Sequence, residues 1–405
     1  MAYRTSKKKR PPRKKVSLKL KTAEELGFKK EIKDRIEDFL ADCIDKSIFP
    51  CAAYSVGGRG GIVAEGFLGN KQVYPSREPL EENDLFDLAS VTKFVVTAVS
   101  IMILMERGRL RLDNPVSKFL PEFTGKHKNK ATIQNLLTHT SGLPDWYPLY
   151  LFEKSHDKMI KQIYSLDLDF VPNTDQKYSC LGYILLGEIV KIITEKKLDD
   201  FSKKNILEPL NMNLSTFNPR ISSPSLHTVP TELGNCYEKS MAERFPESSE
   251  YKDFRKELIN GDVHDHNCFC LDGYSGNSGL FSTPRDLAYF SEMMLNEGIY
   301  AGKRYISPIV VRLMKQNMTP KFPKSWGLGM MLGDTMNVLR GKLSKSCFGH
   351  TGFTGTSIWI DDKNDVYCVF LTNRIHPKVD KSLDFDEVRG ELHSIIYDNI
   401  ATKRV

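Results

Sequence analysis

The sequence has no apolar run of the length a bilayer-spanning helix needs. Residues 1–22 hold ten Lys or Arg (Arg4, Lys7, Lys8, Lys9, Arg10, Arg13, Lys14, Lys15, Lys19, Lys21) and no acid, and no apolar stretch follows those charges. The segment therefore does not read as a secretory signal, and a cytoplasmic location is the expectation. The chain's net charge of +7, less these ten, leaves a body near −3, so the basicity belongs to the start of the chain. Such a Lys/Arg/Pro segment cannot build a core. It reads as a solvated extension, with contact to nucleic acid or an anionic membrane surface as the alternative. The eight cysteines (Cys43, Cys51, Cys180, Cys236, Cys268, Cys270, Cys347, Cys368) show no paired C-x-x-C spacing, so no zinc site is expected and reduced thiols are the simplest reading. Their even number keeps disulfides open.

What is present is organised around one stretch. Phe86-Asp87-Leu88-Ala89-Ser90-Val91-Thr92-Lys93 runs into Val95, Val96, Ala98, Val99 and Ile101 to Met105 with almost no polar break. A helix apolar on nearly every face belongs in a core. Ser90 stands at its start, where free N–H groups favour developing negative charge, and Lys93 follows three residues later on the same face. The pair reads either as an N-cap and a snorkelling lysine, or as a nucleophile beside a lysine whose pKa burial lowers.

At 405 residues the chain can bury a large core. An amphipathic helix is expected at Lys30 to Leu40, and a hairpin from Pro50–Val56 and Gly61–Phe67. Short helices are expected at Leu110 to Phe123 and Thr132 to Leu137. The loop after them contains His139, a base or a hydrogen-bonding loop anchor. Tyr178 precedes a second apolar helix, as a cleft residue or as a ring packed on the helix start. Residues 215–262 are rich in Ser, Pro, Asn, Glu and Lys and read as a lid or binding excursion. The His/Asp/Cys cluster from Gly261 to Cys270 fits no zinc spacing and reads as a hydrogen-bonded loop beside the site. Thr283-Pro284 caps a helix through Leu295. Strands follow at Trp326–Leu332 and Asp365–Thr372, with Phe348–Ile360 a turn into a strand between them and a closing helix at Glu387–Ile400.

Strands at both ends and helices between them predict an α+β fold. An antiparallel sheet built from both ends would face a helical subdomain across a cleft. Residues 1–28 would be a disordered basic tail and 29–400 one domain, with sheet parts at about 29–85 and 287–400 and a helix-rich insert at about 86–286.

Ser90-x-x-Lys93, Tyr178-Ser179-Cys180 and His350-Thr351-Gly352 fall in that order along the chain. With Leu136 to Pro144, Tyr178 to Leu186 and Gly279 to Asp286, they resemble the penicillin-recognising serine hydrolases: class C β-lactamases, D-Ala-D-Ala carboxypeptidases and esterases. The resemblance spans about residues 30–400 and implies the β-lactamase/transpeptidase-like fold. It implies an acyl-enzyme on Ser90, proton transfer by Lys93 and Tyr178, and an oxyanion hole from the backbone N–H groups of Ser90 and Phe353. His350, Thr351, Gly352 and Cys180 would contact a small-molecule or peptide-like acyl substrate, His350 at its polar or anionic end, and no cofactor or metal is implied. His350 stands where the family often has Lys, and Cys180 where it usually has Asn or Asp. The expected activity is hydrolysis of an ester, amide or β-lactam, of esterase, β-lactamase or carboxypeptidase type. The alternative is an inactive binding or scaffold protein tethered by its tail.

Overall fold

A computed structural model describes residues 18–333 and 344–401. A seven-stranded antiparallel sheet is its frame. In chain order the strands are β1 (Cys51–Gly58), β2 (Gly61–Gln72), β3 (Glu78–Pro79), β4 (Met331–Leu332), β5 (Phe348–Thr351), β6 (Ser357–Asp361) and β7 (Val366–Thr372). Their spatial order is β3-β2-β1-β7-β6-β5-β4, so the two chain ends meet where β1 pairs with β7.

Side chains alternate across the sheet with the period of two that strands impose. Val366, Cys368 and Phe370 of β7, with Ala52, Tyr54 and Val56 of β1, face helices α1 (Ile32–Asp45) and α6 (Phe385–Asp398). Tyr367, Val369 and Leu371, with Cys51 and Ala53, face the opposite core. That core holds α2 (Val99–Glu106), α3 (Cys180–Thr194) and α5 (Pro284–Leu295). The helices of the insert thus lie on one face of the sheet only, the arrangement expected of an α+β chain.

Several expectations shift in detail. Residues 1–17 of the expected tail lie outside the described residues, but 18–28 are not tail: Leu18 and Phe28 are buried, the Lys21 N–H donates to the Ile62 carbonyl at 2.9 Å, and Phe28 bridges Ile400. The apolar residues interleaved with the last lysines anchor this segment, so the domain begins near 18. Leu110 to Phe123 holds only a 3-10 turn, Val116–Lys118, after the Pro115 break. Trp326–Leu332 is mostly a turn, with Gly329 at φ +86, and only its last two residues pair in the sheet. The capped helix is found at Pro284–Leu295, where Thr283 Oγ1 accepts the Asp286 N–H at 3.2 Å. Among the described residues, no helix is long and apolar enough to cross a membrane.

Candidate active site

The Ser90 turn is fastened from three directions. A short strand, Phe86–Asp87, pairs with Leu280–Ser282 and delivers the chain to the turn. The buried Asp87 carboxylate accepts the Ala89 N–H at 2.9 Å and the His264 N–H at 2.7 Å. Thr354 and Thr356 hydroxyls donate to the Asp87 and Leu88 carbonyls at 2.7 and 2.9 Å. Ala89 takes φ +47, an uncommon conformation for a residue with a Cβ, and the Asp87 contact to its N–H helps hold it. Gly352 is required by the close approach of the strand end: a Cβ there would lie 2.1 Å from Thr356 Oγ1 and 2.5 Å from the Leu88 carbonyl oxygen.

The helix after Ser90 opens with a wide π turn over Lys93–Ala98 before α2 proper. Such turns recur at functional sites. Lys93 is fully buried, and its Nζ donates to Ser90 Oγ at 2.8 Å, to the Asn277 carbonyl at 3.0 Å and to Cys180 Sγ at 3.5 Å. The same nitrogen is 5.0 Å from the centroid of the Tyr178 ring. Burial works against the Lys93 ammonium, as the sequence suggested, but negative charge on Cys180 and then Tyr178 outweighs it, and the net displacement is upward. The expected lowering of the lysine pKa is therefore corrected: the lysine shares its site with a phenol and a thiol whose ionised forms favour its ammonium. Burial in turn raises the Tyr178 phenol and the Cys180 thiol, with Lys93 opposing it in each. The three groups form one coupled proton system.

His350 on β5 is buried, and its Nδ1 donates to the Thr351 carbonyl at 2.8 Å, which leaves Nε2 as a bare acceptor without a partner. Burial, then the Lys93 charge, pushes its pKa down to about 3. A neutral imidazole with a free lone pair accepts hydrogen bonds, which suits the polar rather than the anionic of the two substrate ends expected for His350. Past Thr351 and Gly352, neither the Phe353 nor the Ser90 backbone N–H donates to another described residue. The Arg374 Nε–H donates to the Phe353 carbonyl at 3.0 Å and steadies that loop.

Ser90 stands at the junction of two cavities. One, of about 430 Å³, is lined by Tyr178, Trp326, His350, Thr351 and Arg374; the other, of about 340 Å³, by Cys180, Tyr237, Glu238, Asp265 and Phe353. The structure thus brings together Ser90, Lys93, Tyr178, Cys180, His350, Thr351, Gly352 and Phe353. His139 lies behind them as a loop anchor: its Nδ1 accepts the Ser179 N–H at 3.0 Å, and its ring packs 4.4 Å from Tyr178. The Gly261 to Cys270 loop is a hydrogen-bonded support in which Asp265 accepts from Cys268 N–H and Asn277 Nδ2. Among the described residues no group of three or more His, Cys, Asp or Glu could hold a metal. Sequence reasoning missed Asp87, Glu238, Asn277 and Arg374. Asn277 lies in a glycine-rich turn, and its role rests on a backbone carbonyl that no side-chain pattern reveals.

The model of the Beta-lactamase family matches residues 34–392. The chain belongs to that family. An N-acetylmuramyl-L-alanine amidase of Bacillus subtilis (strain 168) is 30% identical over 356 residues, covering 82% of this chain and 78% of the relative. Among solved structures, EstCE1, a hydrolase with promiscuous acyltransferase activity, superposes with TM-score 0.70 at 16% identity over 92% of this chain and 99% of its own. The octameric penicillin-binding protein homologue of Pyrococcus abyssi gives 0.69 at 21% identity, over 92% and 79%. Those two likenesses confirm the β-lactamase/transpeptidase-like fold, and the match places the chain among the hydrolase-type proteins of the Beta-lactamase family.

Proposed function

We propose that this Beta-lactamase family member is a serine hydrolase that forms an acyl-enzyme on Ser90. The observation that carries the proposal is the 2.8 Å contact between Lys93 Nζ and Ser90 Oγ inside a buried, coupled proton system. In the reactive microstate Lys93 is the free base, with its proton held by the Tyr178–Cys180 side of that system. Ser90 Oγ attacks the substrate carbonyl and yields its proton to Lys93. The unpartnered N–H groups of Ser90 and Phe353 take the negative charge that develops on the carbonyl oxygen. Collapse breaks the bond to the leaving group, which departs with the proton relayed through Lys93 and Tyr178. Water then repeats the sequence in reverse and frees Ser90.

His350, Thr351, Gly352 and Cys180 line the route of the substrate. A neutral His350 lends no charge to a carboxylate, which favours ester and amide substrates over β-lactams. The amide-cleaving relative from Bacillus subtilis supports the same choice. Intact-protein mass after incubation with p-nitrophenyl esters, a fluorophosphonate and a penicillin, beside Ser90→Ala, tests the proposal. The expected result is a covalent adduct on the native chain and none on the variant. A folded sample that takes up none of the three reagents overturns it.

A further inference from the structure

The smaller of the two cavities at Ser90 has a charge pattern that the acyl-transfer machinery leaves unused. Its lining carries three carboxyl groups, Asp145, Glu238 and Asp265, and no lysine or arginine; its only other ionisable groups are His264, Tyr178, Tyr237 and Cys180. His264 is already bonded through Nε2 to Glu232 at 3.0 Å. Asp145 lies at the exposed rim, 3.5 Å from Lys177.

Glu238 is the exceptional member. It stands on α4 (Cys236–Ala242), within the excursion over the body, and is 5% exposed. Its Oε2 accepts the His266 N–H at 2.8 Å, while Oε1 is buried with no partner. A buried carboxyl oxygen left bare is costly unless something supplies a donor. Burial, with Asp265 beside it, pushes this carboxyl up to about 8, so it holds its proton while the cavity is empty. A cation entering the cavity would draw that proton off.

We infer that this cavity receives the free amino group of the substrate's acyl part, with Glu238 Oε1 as the acceptor that reads it and Asp265 as the supporting charge. The inference deepens the serine-hydrolase reading and rests on it for the placing of the acyl group. Trp146, Met241 and Phe353 supply apolar wall around the carboxyls, which suits the side chain of an α-aminoacyl group. The substrate class is thus an α-aminoacyl amide or ester, cleaved after its first residue. Asp265 also connects the cavity to the lysine: it accepts from Asn277 Nδ2 at 2.9 Å, and the carbonyl of Asn277 holds Lys93 Nζ. Filling the cavity therefore bears on the placement of Lys93 as well as on affinity.

The test compares alanine p-nitroanilide with its N-acetyl derivative, in both enantiomers, on the full chain. The expected result is a kcat/KM preference of about tenfold or more for the free amine in one enantiomer, with the ratio falling toward one in Glu238→Gln. Calorimetry with alaninamide against N-acetylalaninamide reads the cavity whether or not Ser90 reacts. Tighter binding of the amine is expected there, with a buffer-dependent heat from the proton that Glu238 releases. Equal binding of the two amides, or equal rates on the two anilides by a chain that labels with fluorophosphonate at Ser90, overturns the inference. Amine-selective binding by a chain that never labels would support the cavity and sink the serine-hydrolase reading instead.

Discussion

The thiol of Cys180 lies 3.5 Å from Lys93 Nζ. Burial alone would lower the lysine pKa, and negative charge on Cys180 is the largest influence raising it again. Cys180→Ala removes that influence and lets the lysine fall. More free base is then present at neutral pH, and the acid limb of the kcat/KM profile moves to lower pH. A limb that stays in place would show that Cys180 plays no part in the proton system.

Asp87 touches no substrate cavity, yet its carboxylate joins the Ser90 turn to the 264 loop through the Ala89 and His264 N–H groups. It is a positioning residue. Asp87→Ala leaves two buried N–H groups unpaired, at a cost of about 2–4 kcal/mol in unfolding free energy. Turnover should fall while KM changes little, because the error is in where Ser90 points. Asp87→Asn keeps one oxygen for one of the two donors and should recover part of both losses. Urea unfolding and steady-state kinetics on the two variants check this; equal kinetics for native chain and Asp87→Ala would refute the role.

Much of this architecture could be read from residue order. The apolar run after Ser90 has no polar face, so it had to be a core helix, and the Thr283-Pro284 cap fixed the start of α5. Ser90, Lys93 and Tyr178 stand out as candidates because nucleophilic and proton-transfer chemistry needs particular side chains. What escaped depends on long-range geometry. Burial lowers the Lys93 pKa and Cys180, 87 residues away, is the largest influence raising it, while another contact is the backbone carbonyl of Asn277. The acid of the second cavity, Glu238, sits in an excursion whose composition is that of any solvated loop, and only burial beside Asp265 distinguishes it. Residues 18–28 read as tail because Lys19 and Lys21 suggest a solvated segment, while the burial of Leu18 and Phe28 that anchors it is visible only in the fold.

Gly352 gives a steric test of how closely the sheet must approach the Ser90 turn. Gly352→Ala puts a Cβ within 2.5 Å of the Leu88 carbonyl oxygen, with backbone on one side and the Thr356 hydroxyl on the other. The hydroxyl belongs to a side chain, but the Leu88 contact is backbone and yields only if the strand end or the Ser90 turn shifts. Loss of one oxyanion donor costs about 10²- to 10³-fold in kcat, and a drop of that size is expected. Circular dichroism and Tm identify a folded variant; a folded Gly352→Ala enzyme with native kcat would mean that Phe353 does not serve the oxyanion.

Three buried histidines make a claim about acid stability. Burial is the first cause that lowers each of His266, His350 and His393 to about 3, and neighbouring positive charge adds to it. Each folded value lies below the unfolded value near 6.5, so the unfolded chain takes up protons that the folded chain refuses. The stability that the neutral rings contribute is complete above pH 6.5 and is lost as the pH falls toward 3. The raised carboxyls Glu238 and Asp286, at about 8 and about 6, act in the opposite sense over part of this range, so the native curve alone is ambiguous. The difference between the native chain and His393→Leu removes them. His393 lines neither Ser90 cavity and packs against Trp359. Between pH 6.5 and 5 the native chain should lose about 1–2 kcal/mol more than the variant, measured by urea unfolding at each pH. Parallel curves would mean that His393 accepts a proton in the folded state.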